Sequence, residues 1–319
     1  MDTAKTLDLN IDRYHTAFCH QMKLTLHQKY HDFPKSSDCK IAFVPMEVRY
    51  PDEFEDVTEE YLDDEKSENI TRINDKKAKK LLRWFKSTAR ESIKEGANII
   101  VYSEYSYPAL YDEEMREFFI EFCERNKCYV VAGSYVEYND PKNRGYNRCV
   151  IFTPHQGNII KQNKNSRGAF SGESEKIKTP SDKEVLLINT KYGTIAIAMC
   201  IDVQDQNLSR NISVANRTDK LFKPVDIIVV PSYTDEPNTI FSNCQTLSLF
   251  TRTCVVYVCD STFGQNSAIF INGKKITESI RKIKKPNTPI IYLAKLDLFK
   301  LRSERLIYFN TKCYEPVSI

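Results

Sequence analysis

No apolar run in the 319 residues approaches the roughly eighteen that a membrane helix needs. The first ten residues, Met1 to Asn10, carry charges where a secretory leader would place its apolar stretch. Neither export nor membrane insertion is expected, and a cytoplasmic protein is. An excess of one charge is also missing: 46 Lys and Arg against 43 Asp and Glu leave a net charge of +3. That is too little for a general attraction to polyanions, so nucleic acid is not implied as a partner. The 10 cysteines include no Cys-x-x-Cys pair, and they read as reduced thiols rather than a disulfide framework. No repeat of fixed period and no low-complexity tract appears.

What is present is ordinary globular material. Hydrophobic residues at 41% and charged residues at 28% are enough for a sizeable core. The length fits one large α/β unit with an appendage. Residues 1–36 hold four of the five histidines and read as a helical extension, with a helix over Ile11 to Tyr30 and a breaker from Phe33 to Ser37. On such a helix His20, His27 and His31 share a face near Cys19, but a packing or partner-binding helix is the expectation, with no metal. The main domain is expected over 39–319.

From Lys40-Ile41-Ala42-Phe43-Val44 onward, short apolar runs alternate with helical patterns. The segment from Asp52 to Glu68 is acidic and aperiodic, and reads as a solvated insertion. Ala78, Leu81, Leu82, Phe85, Ala89 and Ile93 recur at spacings of three and four, predicting a helix from Asp75 to Glu95 that Gly96 ends. A second helix is expected over Asp112 to Lys127. Strands are expected at Ile99–Tyr102, Cys128–Ala132, Arg148–Phe152, Val185–Ile188, Thr194–Met199, Ile227–Val230, Cys254–Val258 and Ala268–Ile271. Continuous Val/Ile-rich runs indicate strands buried on both faces and so sheets covered by helices, an α/β protein.

Reactive side chains in such sheets gather just beyond strand ends. Glu104 follows Ile99–Ser103 and Cys200 follows Thr194–Met199. The only histidine outside the extension is His155, in the turn Thr153-Pro154-His155-Gln156-Gly157, so a Cys-His pair is poorly supported. A carboxylate such as Glu104 is then the natural base for a Cys200 nucleophile. A lysine nearby would stabilise the thiolate and an oxyanion; Lys164 and Lys161 both qualify.

The order "apolar run, Glu104", then Gly157 to Lys164, then "apolar run, Cys200-Ile201-Asp202" resembles the carbon–nitrogen hydrolase (nitrilase) superfamily. Val130 to Ser134 with Tyr146-Asn147, Phe170-Ser171-Gly172-Glu173, Asp226 to Ser232, and Ala294 to Leu298 with Arg302 are similar to further family segments. Ser103 stands where the family has proline. The resemblance implies a four-layer α-β-β-α sandwich and a thiol mechanism: Glu104 as base, Cys200 as nucleophile, Lys164 with the Ile201 backbone N–H at the oxyanion. Glu173 would be a supporting carboxylate and Asp202 a second support. Substrate contacts are expected at Asn147, Ser232 and Tyr233. The lysine is expected to lower the thiol pKa, populating the thiolate near neutral pH. The substrate would be a small amide, carbamoyl compound or nitrile, cleaved through a thioester. No cofactor is expected. A homodimer or larger homo-oligomer is implied by the same resemblance, and residues 1–36 suggest a protein partner. The alternatives are a binding or scaffolding module that has lost turnover, and a soluble acyltransferase using the same thioester.

Overall fold

The computed structural model describes residues 23–26, 38–49, 52–57, 70–137, 145–155, 157–170, 173–175, 177–217, 224–260, 267–277 and 280–312. Strands β1 (Lys23–Leu26) and β2 (Asp38–Val44) come first, then the hairpin β3 (Phe54–Val57) and β4 (Ile70–Ile73), and helix α1 (Asp75–Lys94). Next are β5 (Ile99–Tyr102), α2 (Asp112–Asn126), β6 (Tyr129–Glu137), β7 (Tyr146–Phe152) and β8 (Ile159–Asn163). A small hairpin, β9 (Ala169–Phe170) and β10 (Glu173–Ser174), leads to β11 (Glu184–Thr190) and β12 (Gly193–Ile197). A 3₁₀ turn at Cys200–Gln204 and α3 (Gln206–Arg217) precede β13 (Val225–Ser232), α4 (Pro237–Thr251) and β14 (Cys254–Cys259). The chain continues with β15 (Ala268–Ile271), β16 (Lys274–Ile276), β17 (Ile280–Ile283), β18 (Ile291–Asp297) and α5 (Leu298–Lys312).

Two seven-stranded sheets result, ordered β17-β18-β2-β5-β6-β7-β8 and β1-β11-β12-β13-β14-β15-β16. Their facing sides share one core, which includes Phe43, Val101, Ile151, Ile197, Val229 and Val256. The outer side of the first sheet packs Ala42, Ile100 and Tyr102 against Leu81 and Phe85 of α1 and Phe119 of α2. The outer side of the second packs Ile228, Val230 and Tyr257 against Leu208 and Ile212 of α3 and Ile240 and Leu247 of α4. Every residue of β5, β12, β13 and β14 is buried, as strands covered on both faces must be. The α-β-β-α sandwich is therefore what the unbroken Val/Ile runs required. No helix of the described residues is long and apolar enough to cross a membrane.

Local chemistry fixes the helix ends. Asn74 caps α1 by accepting from the Lys77 N–H at 2.9 Å, and the expected glycine, Gly96, follows at φ +82°. Lys127 closes α2 in the left-handed region.

The amino-terminal expectation is corrected. Lys23–Leu26 is not helical but an edge strand, parallel to β11 with Leu24 opposite Val185 and Leu26 opposite Leu187. The polar/apolar alternation of Lys-Leu-Thr-Leu suits an exposed sheet edge. A strand here removes the helical spacing on which the His20, His27 and His31 grouping rested; those histidines and Cys19 lie outside the described residues. Residues at both ends of the acidic segment pair as β3 and β4, Phe54 opposite Ile73. The span 58–69 between them lies outside the described residues.

One buried charge cluster ties α5 to the second sheet. The β12–β13 register shifts between Thr194 and Ile195, which face Val225 and Ile227, so Asp226 is the extra residue of a bulge. Its carboxylate accepts from the Thr194 N–H at 3.2 Å, from Arg302 at 2.9 and 3.1 Å and from Arg305 at 3.1 Å. Arg305 also donates to the Val225 carbonyl at 2.7 Å. Gly193 is required beside it, because a Cβ there would lie 2.6 Å from Asp226 Oδ2. Asp226→Ala strands the buried Arg305 without its anion and is expected to cost about 3–5 kcal/mol. Arg302→Ala, at the solvent edge of the cluster, should cost about 1 kcal/mol or less. Urea unfolding of the two variants checks the ranking, and equal losses would show that Asp226 does not carry the cluster.

Candidate active site

Three strand ends deliver the reactive groups. At the end of β5, Ser103 accepts from the Met46 N–H at 3.0 Å, fastening the turn after β5 to the segment after β2. Gly133 in β6 must be glycine: a Cβ there would stand 2.2 Å from the Ser103 carbonyl oxygen and 2.4 Å from Ser106 Oγ. This tight packing leaves Glu104 with no solvent exposure. Beyond β8, the Lys164 N–H donates to the Asn147 carbonyl at 2.8 Å, continuing the β7–β8 ladder one step and turning the side chain inward. Beyond β12, Cys200 opens the 3₁₀ turn at φ +46°, a sparsely populated conformation for a non-glycine residue. The Ile201 N–H belongs to the first turn of that 3₁₀ segment, where amides have no intrahelical acceptor.

Around Lys164 the side chains form a closed network. Its ammonium lies 2.7 Å from Glu104 Oε1 and 2.7 Å from Glu175 Oε2. Asn147 donates to both carboxylates, at 2.9 Å to Glu104 and 3.1 Å to Glu175. The second oxygen of Glu104 accepts from the Tyr233 N–H at 2.9 Å. Glu175 also accepts from the Gly168 N–H at 2.9 Å and from the Tyr105 hydroxyl. On the other side of Tyr233, its carbonyl faces Cys200 Sγ at 3.8 Å.

The electrostatics follow from one cation among two anions in a dry site. Burial pushes Glu104 up from the usual carboxylate range, although Lys164 pulls it back. Burial opposes the charge on Lys164, yet the two carboxylates overcome it and hold the ammonium well above the usual lysine range. Glu175 lies below its ordinary range: burial opposes ionisation, and Lys164, Tyr105 and Gly168 outweigh it. Cys200 goes the other way. Burial, reinforced by Glu104, raises the thiol well above its usual range, and Lys164 offsets only part of this. The expected resting thiolate is therefore corrected: one ammonium shared by two carboxylates leaves no net positive field to ionise the sulfur.

The structure separates the two candidate lysines. Lys161 pairs with Glu137 and donates to the Tyr135 hydroxyl at 3.1 Å, whereas Lys164 meets Glu104. A carboxylate that meets Lys164 is Glu175, which sequence reasoning missed; the expected one is Glu173. In the β9–β10 hairpin Glu173 pairs with Phe170 through the backbone; its side chain lies outside the described residues. The Glu175 N–H meets the Gly168 carbonyl at 2.9 Å, one step nearer the hairpin base and hence nearer Lys164.

Asn147 is committed to the carboxylates through its Nδ2, while its buried Oδ1 has no partner among the described residues. Tyr233 contributes its backbone, and its ring packs edge-on against Tyr105. Ser232 is fully buried, and its hydroxyl has no hydrogen-bond partner among the described residues. Asp202 accepts from the Asn165 N–H at 3.1 Å on both oxygens. It thereby links the residue after Lys164 to the turn that carries Cys200. No group of His, Cys, Asp and Glu among the described residues has the makings of a metal site.

A family model described as carbon-nitrogen hydrolase matches residues 71–223, a span that includes Glu104, Lys164, Glu175 and Cys200. No curated protein matches the chain by sequence. Among solved structures, Nit3 of Saccharomyces cerevisiae, a member of branch 10 of the nitrilase superfamily, is similar at 16% identity and TM-score 0.57, covering 88% of this chain and 96% of that one. An amidase from Nesterenkonia sp. shares 12% identity at TM-score 0.57, with 86% and 96% covered. A carbon-nitrogen hydrolase from Helicobacter pylori G27 shares 13% identity at TM-score 0.59, with 89% and 97% covered. The fold is thus that of the nitrilases. Residues 71–223 match the carbon-nitrogen hydrolase family model within a chain that shares the fold of solved nitrilase-superfamily structures.

Asp202 makes a pH prediction. Burial raises its carboxyl to about 7. A raised folded-state pKa contributes stability that is fully present below the ordinary carboxylate value of about 4 and lost as pH rises through the folded value. Over about pH 4 to 8 the melting temperature of Asp202→Asn should therefore fall less than that of the parent. An equal or steeper fall would contradict the buried, protonatable carboxyl.

Proposed function

We propose that the protein is a cysteine-dependent hydrolase of carbon–nitrogen bonds in small amides, carbamoyl compounds or nitriles, with Glu104, Lys164 and Cys200 as its triad. The observation that carries this is the Glu104–Lys164 ion pair, buried and linked to Cys200 through the backbone N–H and C=O of Tyr233.

In an amide substrate, Cys200 Sγ attacks the carbonyl carbon as its proton passes to Glu104. The resting sulfur holds its proton, so base and nucleophile act together. The raised proton affinity of Glu104 suits it to that task. Lys164 and the Ile201 N–H stabilise the oxygen as it becomes negative. Collapse of the tetrahedral adduct breaks the C–N bond, Glu104 returns the proton to the departing amine or ammonia, and a thioester remains on Cys200. Water then attacks the thioester, giving up a proton to Glu104, and the acid leaves with the thiol restored.

The test is release of ammonia or amine from a panel of small amides and nitriles, with intact mass recorded during turnover. A hydroxylamine-sensitive acyl adduct on Cys200 is expected. Cys200→Ala should abolish it, and Glu104→Gln and Lys164→Ala should each slow its formation by about 10²–10⁴. Absence of any adduct at Cys200 with every substrate, together with a Cys200 thiol no more reactive than the other cysteines, would reject the assignment.

A further inference from the structure

The turn after β5 carries a second unusual residue beside the proposed base. Tyr105 adopts φ +57°, a conformation that bulky side chains rarely take. Its N–H is held by Ser134 Oγ at 3.1 Å, and its hydroxyl donates to Glu175 Oε1. The surroundings therefore dictate both the backbone and the side chain of this residue.

Glu175 needs such a partner. It immediately follows β10, which pairs only with β9 and joins neither large sheet. Gly168 meets it twice, accepting from its N–H at 2.9 Å and donating to its Oε2 at 2.9 Å, and the other donors that hold it beside Lys164 are side chains. One of these, Asn147, is shared with Glu104. The Tyr105 phenol comes from the rigid end of β5, the same turn that presents Glu104. Its ring also packs against Tyr233 with centroids 5.7 Å apart, the residue whose backbone lies between Glu104 and Cys200.

We propose that Tyr105 is a positioning residue, which holds Glu175 against Lys164 and so fixes the ammonium relative to the base and the nucleophile. This rests on the Glu104–Lys164–Cys200 reading. Tyr105 touches neither substrate nor the reacting atoms in this role, and acts through Glu175. The charged and titratable groups around Glu175 are Lys164 beyond β8, Glu104 and Tyr105 beyond β5, and Cys200 beyond β12. Donation from the phenol favours the Glu175 carboxylate. Without it Glu175 takes up its proton at higher pH, Lys164 loses one anionic partner, and reactivity at Cys200 is lost earlier on acidification.

The experiment is the pH dependence of Cys200 alkylation by iodoacetamide in the full chain, followed by intact mass from about pH 3 to 9. Tyr105→Phe, which keeps the ring, should move the acid limb up by about one pH unit, a loss of about tenfold in rate on that limb, with the plateau near the parent value. A fluorinated tyrosine placed at 105 alone, a stronger donor, should move the limb down. In a Glu175→Gln background Tyr105→Phe should change nothing further. Profiles of Tyr105→Phe and the fluorinated chain that superimpose on the parent overturn the proposal. So does an effect of Tyr105→Phe that persists in Glu175→Gln. If Cys200 in the parent reacts no faster than the other thiols at any pH, the triad reading itself falls and takes the proposal with it. That outcome is distinct from a reactive parent matched by Tyr105→Phe.

Discussion

The site depends on one ammonium placed between two buried carboxylates. With Lys164 bonded at 2.7 Å to both Glu104 and Glu175, the ionised cluster carries one negative charge in excess. Ionising Cys200 as well would bring a second uncompensated anion into a region with almost no solvent. Burial accordingly raises the thiol, with only part of the rise offset by Lys164, and raises the proton affinity of Glu104 nearby. Lys164 here fixes two carboxylates, and its charge is shared between them rather than given to the sulfur.

That arrangement explains why the surroundings of Glu104 are so tightly made. Ser103 ties the turn to the Met46 amide, and Gly133 lets the β6 backbone approach the Ser103 carbonyl. At Ser103 this chain holds the turn with a hydroxyl and keeps a hydrogen-bonded link to the segment after β2. At 12 to 16% identity to the solved structures, the fold is retained because strands buried on both faces need apolar volume and β-branched shape more than particular residues. The charge network is less forgiving, since each buried donor and acceptor must find its partner.

Much of this could be read from the sequence for the same reason. The runs that became β5, β12, β13 and β14 are contiguous and apolar, and Glu104 and Cys200 stand where those runs stop. The features that escaped notice are those where local signal is weak or ambiguous. The four residues of β1 carry only a brief alternation. In α5, the core positions Leu298, Leu301 and Arg305 include an arginine, which breaks the apolar period although it faces inward to meet Asp226. Glu175 and Glu173 are chemically identical and two residues apart, so sequence alone does not choose between them. The pKa of Cys200 could not be inferred from a nearby lysine alone, because the sign depends on counting the anions that lysine also serves.

The two large sheets supply different halves of the chemistry. Glu104 and Lys164 extend from the first sheet and Cys200 from the second, and no covalent element sets their separation. The backbone of Tyr233, just beyond β13, donates to Glu104 through its N–H and faces the sulfur with its C=O. At its foot the same strand is pinned through Asp226 to the carboxyl-terminal helix. β13 thus works as a gauge block between the sheets: a slip along its axis shifts both contacts at once. The environment of the thiol then becomes a readout of how the halves of the sandwich are docked, sensitive to a helix at the opposite end of β13.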